Sequence, residues 1–256
     1  MSKLNIQSIF HSLDGEANAF DGAGQLCTFI RLKGCNLNCQ YPCDTPRSIP
    51  SKPENWMTIE EVVQKIRFPK VTITGGEPGL QQDAVKKLCE DLFFEGADTK
   101  TRYQVSIETN GTIVWKLHNL YRDLVRLVVD YKLPSSGVEG KMNPEVFRWL
   151  LSTDIIKFVV SDWEDYGRAL EVIEEHPEWR DRADGPIRLV FSPAIQYKEV
   201  YEDYVPELCP ELNKSVQIVD SNWPRQLAEK MIEDNVPAQF SLQIHKILWP
   251  GATEER

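Results

Sequence analysis

The sequence of 256 residues lacks any apolar run near the roughly 20 residues that a membrane-spanning helix needs. Its N-terminus, MSKLNIQSIF, lacks the basic flank, long apolar stretch and small-residue cleavage site of a signal peptide, which predicts a cytoplasmic protein with reduced thiols. Blocks of Lys or Arg are also missing: 39 acidic residues against 29 basic ones give a net charge of −10. Because nucleic-acid binders gain affinity by neutralising phosphates, this balance argues against a DNA or RNA partner and favours a small-molecule substrate.

No repeat, low-complexity tract or linker divides the chain, so residues 1–256 are predicted to form a single domain. Short runs rich in Val, Ile and Phe alternate with segments that carry helix-start residues, which implies right-handed crossovers and a mainly parallel sheet, open or barrel-like, in an α/β fold. The predicted strands are Cys27–Leu32, Lys70–Thr74, Tyr103–Glu108, Arg126–Tyr131, Ile155–Val160, Ile187–Phe191 and Gln239–His245. The predicted helices are Ile59–Ile66, Gln81–Phe94, Pro144–Leu151, Glu164–Glu175 and Arg225–Asp234. Tyr197–Asn222 is expected to be irregular.

Three of the six cysteines, Cys35, Cys39 and Cys43, lie within nine residues and follow the first predicted strand directly. In a reducing compartment so tight a trio indicates metal ligation rather than a disulfide. Three thiolates suit an iron–sulfur cube with one iron open to another ligand, whereas structural zinc takes four closed ligands. Spacing alone leaves both metals open. The scattered cysteines, Cys27, Cys89 and Cys209, are expected to be packing residues.

A second motif, Thr72–Pro78 with the sequence TITGGEP, ends the next predicted strand. Its two glycines, Gly75 and Gly76, allow the backbone to approach a ligand closely, and Glu77 offers a carboxylate to an ammonium group. A plain strand-to-helix turn explains the same residues when they are taken alone.

Taken together, the cysteine loop and the Gly-Gly-Glu-Pro turn resemble the radical S-adenosylmethionine (SAM) superfamily. The resemblance implies a partial, incomplete TIM-like barrel and a [4Fe–4S] cluster on the three cysteines, whose open iron chelates SAM. It further implies that one electron, from a donor such as flavodoxin or ferredoxin, cleaves SAM to methionine and a radical that abstracts hydrogen from the substrate. The chain departs from the usual Cys-x3-Cys-x2-Cys spacing, because Pro42 adds one residue before Cys43.

The flanking residues are similar to the 7-carboxy-7-deazaguanine synthase family over nearly the whole chain. The matching segments are Ile6–Glu16, Cys27–Cys39, Cys43–Thr45, Ser106–Thr112, Lys132–Gly137, Lys157–Val160 and Leu242–Lys246. That family converts 6-carboxy-5,6,7,8-tetrahydropterin to 7-carboxy-7-deazaguanine with loss of ammonia, on the route to queuosine, and it regenerates SAM. The resemblance also implies magnesium as a helper ion and a homodimer.

Roles for single residues follow from the same resemblance. The substrate is expected to meet Asp14, Glu16, Arg31, Glu108, Thr109, His245 and Lys246, although Asp14 stands where the family usually has glutamine. SAM is expected to meet Gly75, Gly76, Glu77, Pro78, Asn110, Lys132 and Ser135, with Ser136 beside them. The hydroxyl of Thr45 is expected to reach magnesium. The alternatives are a surface ion pair for Arg31, a loop cap for Thr45, a structural network for Glu108 and a core position for His245.

Two other functions share parts of this pattern. A glycyl-radical-activating enzyme has the same cluster loop and a small size but acts on a partner protein. A metal-binding module without catalysis would carry the cysteines and cleave no SAM.

Overall fold

The computed structural model describes residues 2–17, 20, 22–40, 54–117, 122–195, 197–200 and 216–249; of 197–200 and 216–219 it describes the backbone only. Four residues that the sequence singles out, Pro42, Cys43, Thr45 and Cys209, lie outside these ranges. No helix in the described ranges has both the length and the hydropathy that crossing a bilayer would take.

The described elements alternate between strands and helices along most of the chain. The strands are β1 (Lys3–Leu13), β2 (Leu26–Leu32), β3 (Trp56–Thr58), β4 (Lys70–Gly75), β5 (Gln104–Thr109), β6 (Val125–Tyr131), β7 (Ile155–Val160), β8 (Arg188–Pro193), β9 (Tyr197–Val200), β10 (Val216–Val219) and β11 (Gln239–Phe240). The α-helices are α1 (Ile59–Val63), α2 (Gln82–Thr99), α3 (Pro144–Arg148), α4 (Trp163–Glu175), α5 (Asn222–Glu233) and α6 (Ile244–Leu248).

One sheet of nine strands, in the order β11-β8-β7-β6-β5-β4-β2-β1-β3, forms the partial barrel. The strands from β2 across to β11 pair in parallel, whereas β1 pairs antiparallel with both β2 and β3. The mainly parallel α/β fold is therefore confirmed. The carboxyl ends of β2, β4, β5, β6, β7 and β8 meet at one rim, which is where sites form in such sheets.

The two faces of the sheet differ in polarity because side chains alternate along each strand. On β4, Val71 and Ile73 pack into the main hydrophobic core under the helices, and the same outward alternation continues along the neighbouring strands. The residues between them face the inside of the barrel, which we call the lumen. Its lining is mostly polar and includes Asp14, Thr72, Thr74, Ser106, Glu108, Asp130 and Lys157, with one small apolar cluster of Val128, Ile155 and Val190.

Local sequence signals account for the starts of three of the six described α-helices. Thr58 and Glu61 form the predicted capping box, in which each side chain accepts a hydrogen bond from the other residue's backbone N–H. Asn143 caps α3 before a first-turn proline, and Asp162 caps α4 by accepting from the backbone N–H of Asp165.

The predicted strand Gln239–His245 is wrong beyond its first two residues. Only Gln239 and Phe240 pair with β8, and α6 begins at Ile244. Tertiary hydrogen bonds divert the chain: the backbone N–H of Ser241 donates to the Phe191 carbonyl, and that of Ile244 donates to the Gly15 carbonyl 2.8 Å away. The sequence prediction also omitted β1 and the antiparallel pair β9–β10 inside Tyr197–Asn222.

Candidate active site at the barrel rim and lumen

The loop after β2 carries the first two cysteines of the trio. Cys35 and Cys39 are partly exposed, while Cys27 and Cys89 are buried, as expected of packing residues. The backbone N–H of Gln40 donates to the Ser136 carbonyl at 2.9 Å, which ties this loop to the turn after β6. Two described thiols alone make no complete metal site, and no cluster of three His, Cys, Asp or Glu side chains suited to a metal occurs among the described residues.

The cysteine loop nevertheless has the chemistry of an iron–sulfur loop. Nitrogen donors face the Cys35 sulfur: the backbone N–H of Leu37 lies 3.5 Å away and the Asn110 side-chain amide 3.9 Å away. Hydrogen bonds to the sulfurs are a usual means of tuning such clusters. The two thiols fit a cluster whose third predicted ligand, Cys43, lies outside the described residues.

The Gly-Gly-Glu-Pro turn packs directly on the cysteine loop. The backbone N–H groups of Gly76 and Glu77 donate to the carbonyls of Leu32 and Gly34, at 3.1 and 2.7 Å. Gly75 has a φ of +127°, and a Cβ on Gly76 would overlap the Gly34 carbonyl. The glycines therefore serve the contact between two backbone segments, which holds the two motifs together as one unit.

The side chain of Glu77 links this unit to the end of β5 by hydrogen bonds. Its side chain is fully buried, and its oxygens accept three hydrogen bonds of 2.7 Å, from the backbone N–H of Gly79, the Thr109 hydroxyl and the backbone N–H of Asn110. Burial raises the pKa of Glu77, and these three donors oppose the shift. The sequence predicts that this carboxylate binds an ammonium group of a ligand. In the structure its hydrogen bonds join the turn to the end of β5.

Two residues at the end of β5 take part in the same hydrogen-bond network. Thr109, expected at the substrate, is buried and donates its hydroxyl to Glu77. Asn110, expected at SAM, donates its amide to the Asn36 side chain at 2.8 Å, and so links β5 to the cysteine loop. Pro78 is buried at the start of the 3₁₀ turn that follows Glu77.

A chain of buried charges crosses the lumen below the cysteine loop. Lys157 Nζ lies 2.9 Å from Glu16 Oε2 and 3.2 Å from Asp130 Oδ1, and Lys132 Nζ lies 2.9 Å from Asp130 Oδ2. Gln243 donates its side-chain amide to Glu16 Oε1 at 2.7 Å. Burial opposes ionisation of Glu16, but Lys157 and His245 outweigh it and hold the pKa of that carboxyl well below its ordinary value.

Glu108 lies in the same lumen, but its pKa is shifted upward, whereas the pKa of Glu16 is shifted downward. Burial, together with the neighbouring Glu16, raises the pKa of Glu108 to about 7, against the opposing charge of Lys157. The Thr74 hydroxyl donates to Glu108 Oε2 at 2.7 Å. A carboxyl that titrates near neutrality can hold or release a proton beside a bound ligand.

Arg31 lies near the end of β2 on the lumen face, since its neighbours Ile30 and Leu32 pack into the outer core. Its guanidinium carbon is 5.6 Å from the centre of the Phe10 ring, which is stacked on Phe29. The guanidinium is thus a planar cationic group at the rim, of the kind that binds carboxylates.

Asp14 forms a buried ion pair at the opposite end of the barrel. Asp14 Oδ2 lies 3.0 Å from Lys70 Nζ, and both side chains are 4% exposed. Burial raises the pKa of Asp14, and Lys70 opposes the shift. The structure thus gives Asp14 a cation as its partner and places the pair at the amino end of β4.

The C-terminal segment closes over the loop that carries Glu16. A methyl group on Gly15 would lie 2.8 Å from both the backbone nitrogen and Nδ1 of His245, so the histidine packs directly on this loop. Lys246 follows in α6, and its backbone N–H donates to the Gln243 carbonyl. His245 therefore lies against the loop that carries Glu16, and it stands in a helix rather than in the predicted strand.

The predicted SAM residues after β6 are partly engaged elsewhere. The Ser135 hydroxyl donates to the buried Asp165, whose other oxygen accepts the Ser135 backbone N–H at 2.9 Å. The Ser136 hydroxyl donates to the Leu133 carbonyl. Lys132 is 9% exposed and pairs with Asp130.

Sequence reasoning did not select four polar residues that the structure places in the lumen, namely Lys157, Asp130, Gln243 and Lys70. For Lys157 and Asp130 the signal was a charged residue within a mostly apolar strand: β7 reads IIKFVV, with Lys157 as its one charge, and β6 reads VRLVVDY, with Arg126 and Asp130. A charge at such a position is costly unless it is paired or meets a ligand.

A separate cleft of about 390 Å³ opens on the helix side of the sheet, between Tyr131, Met142, Phe147 and Arg168. Arg168 already pairs with Glu139 at 2.7 Å and with other carboxylates of α4. This cleft shares no lining residue with the lumen and is not part of the candidate site.

Comparisons with known proteins agree with this geometry. The family model described as "Radical SAM superfamily" matches residues 29–145. The 7-carboxy-7-deazaguanine synthase of Methanospirillum hungatei JF-1 is 34% identical over 96% of this chain and 86% of its own length. The synthase of the same name from Koribacter versatilis is 33% identical over 98% of this chain and 99% of its own. The crystal structure of QueE from Escherichia coli shares the fold, with a TM-score of 0.61 at 20% identity over 94% of each chain.

Proposed function

The chain belongs to the 7-carboxy-7-deazaguanine synthase family of radical SAM enzymes, and we propose that it converts 6-carboxy-5,6,7,8-tetrahydropterin to 7-carboxy-7-deazaguanine with loss of ammonia. This makes it a carbon–nitrogen lyase. The observation that carries the proposal is the ion-paired lumen of the barrel whose rim carries the cysteine loop. A barrel that served only as a scaffold would fill this space with apolar side chains, which are cheaper to bury.

Glu16 and Arg31 are the proposed anchors of the pterin. Glu16 is held by Lys157 and Gln243, and an ionised carboxylate has about four acceptor positions, so two remain for the amino and ring N–H groups of the pterin. Arg31 offers paired N–H donors to the pterin's carboxylate. His245 closes this end of the site.

Glu108 is the proposed group for proton movement. It lies in the lumen with its pKa raised to about 7 by burial, so it holds or releases a proton under ordinary conditions. Loss of ammonia requires proton delivery to a leaving nitrogen, which a carboxyl of this kind can supply when it lies within hydrogen-bond reach.

Cys35, Cys39 and Cys43 are proposed to hold the [4Fe–4S] cluster, and the backbone of the Gly75–Pro78 turn is proposed to receive the methionyl end of SAM. When bound, the cluster and SAM supply the radical chemistry that removes a hydrogen atom from the substrate. Lys132, Ser135 and Asn110 flank that position from the next two strand ends.

Three further parts of the proposal are supported by the family resemblance alone. They are magnesium at Thr45, reduction by a flavodoxin- or ferredoxin-like donor, and a homodimer. We also propose a cytoplasmic location, because a tight cysteine trio that ligates a metal fits a reducing compartment.

Anaerobic reconstitution followed by incubation with SAM, a reductant and 6-carboxytetrahydropterin tests the proposal. We expect 7-carboxy-7-deazaguanine and an equal amount of ammonia by mass spectrometry and ammonia assay. Cys35→Ala should abolish both, whereas Cys89→Ala, which changes a buried packing residue, should retain them. SAM cleavage without either product would contradict the proposed function and favour another radical SAM reaction, such as activation of a partner protein.

A further inference from the structure

Lys157 occupies the centre of the charge chain in the lumen. It stands in the middle of β7, and its side chain is 7% exposed. Its ammonium touches two carboxylates that come from distant parts of the chain, Glu16 on the loop after β1 and Asp130 near the end of β6. The pairing of β6 with β7 already sets Asp130 beside Lys157, since the two are register partners. Glu16 has no such strand pairing with Lys157, and the described contacts that hold its carboxylate come from the side chains of Lys157 and Gln243.

The charge balance of this cluster depends on Lys157. Three carboxylates, Glu16, Glu108 and Asp130, share the lumen with the ammonium groups of Lys157 and Lys132. Lys132 contacts Asp130 alone among the three, so Glu16 has Lys157 as its ion-pair partner. An ionised buried carboxylate that loses its partner either takes up a proton or changes position.

We propose that Lys157 is a positioning residue for the substrate, which acts by holding the Glu16 carboxylate ionised and in a fixed orientation toward the pterin's amino-pyrimidinone edge. This inference rests on the proposed function, because it takes a pterin as the ligand of Glu16.

The contacts of Glu16 explain why a single lysine is enough to fix the orientation of its carboxylate. Lys157 Nζ binds Glu16 Oε2, while Gln243 binds Oε1, so the carboxylate is gripped at both oxygens. Two donors from different elements fix the plane of the carboxylate. That plane then decides where its remaining acceptor positions point, and hence which donor pattern it recognises.

A double-mutant cycle on pterin binding tests this inference. The probe is 6-carboxypterin, a stable and fluorescent analogue, titrated anaerobically into the reconstituted holoenzyme with SAM present. The variants are Lys157→Met, Glu16→Gln and the two combined, with Lys157→Arg as the variant that keeps the charge. Lys230→Met is the matched control, because Lys230 is an exposed lysine of α5 that also pairs with two carboxylates.

The expected result is non-additive. Lys157→Met and Glu16→Gln should each weaken binding about tenfold or more, since a hydrogen bond to a charged group contributes about 1.5–3 kcal/mol and 1.4 kcal/mol is tenfold. The combined variant should bind within about threefold of Glu16→Gln alone, because Lys157 then has no carboxylate left to position. Lys157→Arg should recover part of the affinity, and Lys230→Met should leave it unchanged.

Other results would overturn the inference. Losses that multiply to about a hundredfold in the combined variant would show that Lys157 acts independently of Glu16. Wild-type affinity in Lys157→Met would show that it has no part in binding. If Lys157→Met does not fold, Lys157→Gln, which retains a hydrogen-bond donor without the charge, takes its place in the same cycle. If the wild type itself binds no 6-carboxypterin and yields no deazaguanine product, the proposed function fails; if it yields product while the cycle is additive, only the role of Lys157 fails.

Discussion

Substitution of Glu77 tests whether its carboxylate stabilises the fold or binds the cofactor. The side chain is fully buried and accepts three hydrogen bonds that join the Gly-Gly-Glu-Pro turn to the end of β5. A buried donor left without an acceptor costs about 1–3 kcal/mol. Glu77→Gln replaces one acceptor oxygen by a donor amide and should destabilise the protein by about 1–3 kcal/mol, and Glu77→Ala, which orphans all three donors, by at least about 3 kcal/mol.

Urea unfolding followed by circular dichroism under anaerobic conditions measures these changes. Glu233→Gln on α5 is the matched control, since Glu233 is exposed and pairs only across a helix turn with Lys230; we expect less than about 1 kcal/mol there. A Glu77→Gln protein as stable as the wild type, but with SAM affinity reduced more than about tenfold, would refute the reasoning. It would mean that the carboxylate serves the cofactor and not the turn.

Three further predictions concern the lumen and the cysteine loop. Burial raises the pKa of Glu108 to about 7, so the protonated side chain stabilises the fold fully below its ordinary pKa near 4.5, and this contribution is lost as pH rises through about 7. Glu108→Gln should therefore flatten the fall in thermal midpoint between about pH 5 and 8, and an unchanged slope would exclude Glu108 as the cause of that fall. Gly76→Ala places a methyl group against the Gly34 carbonyl and should sharply lower iron content after reconstitution, whereas Gly167→Ala, with open space around its Cβ position, should not; equal iron in both would contradict the packing of the two motifs. Lys70→Met leaves Asp14 unpaired and buried and should lower the free energy of unfolding in urea by about 3–5 kcal/mol. Lys70→Met combined with Asp14→Asn should lower it by less. Equal losses of stability in the two variants would mean that the broken ion pair is not the cause.

The sequence predicted the parallel strands well because their apolar runs are short and bounded by helix-start residues. β7 has the predicted bounds, Ile155–Val160, and β2 and β6 differ by one residue. Propensity could not predict the end of β11, because the apolar alternation of Gln239–His245 continues after strand pairing stops. There the chain turns to bring Gln243 to Glu16, a contact between residues 227 positions apart.

The candidate site was predicted in part, for a related reason. Motif and resemblance identified Glu16, Arg31 and the cysteine loop, and the structure places these at the rim and lumen. Glu77 and Thr109 are held by each other, which spacing along a sequence does not reveal. Lys157 lies in a matching segment but received no role, because a lysine inside a strand has no partner nearby in the sequence. Its carboxylates come from β6 and from the loop after β1.

We propose that this barrel uses SAM as a reusable cofactor to convert a carboxytetrahydropterin into a carboxydeazaguanine. The test is the ratio of product formed to SAM lost, measured by mass spectrometry in one anaerobic reaction of the reconstituted protein. We predict many molecules of 7-carboxy-7-deazaguanine for each SAM consumed. A ratio of one or below, or SAM consumption with no deazaguanine product, would contradict the claim.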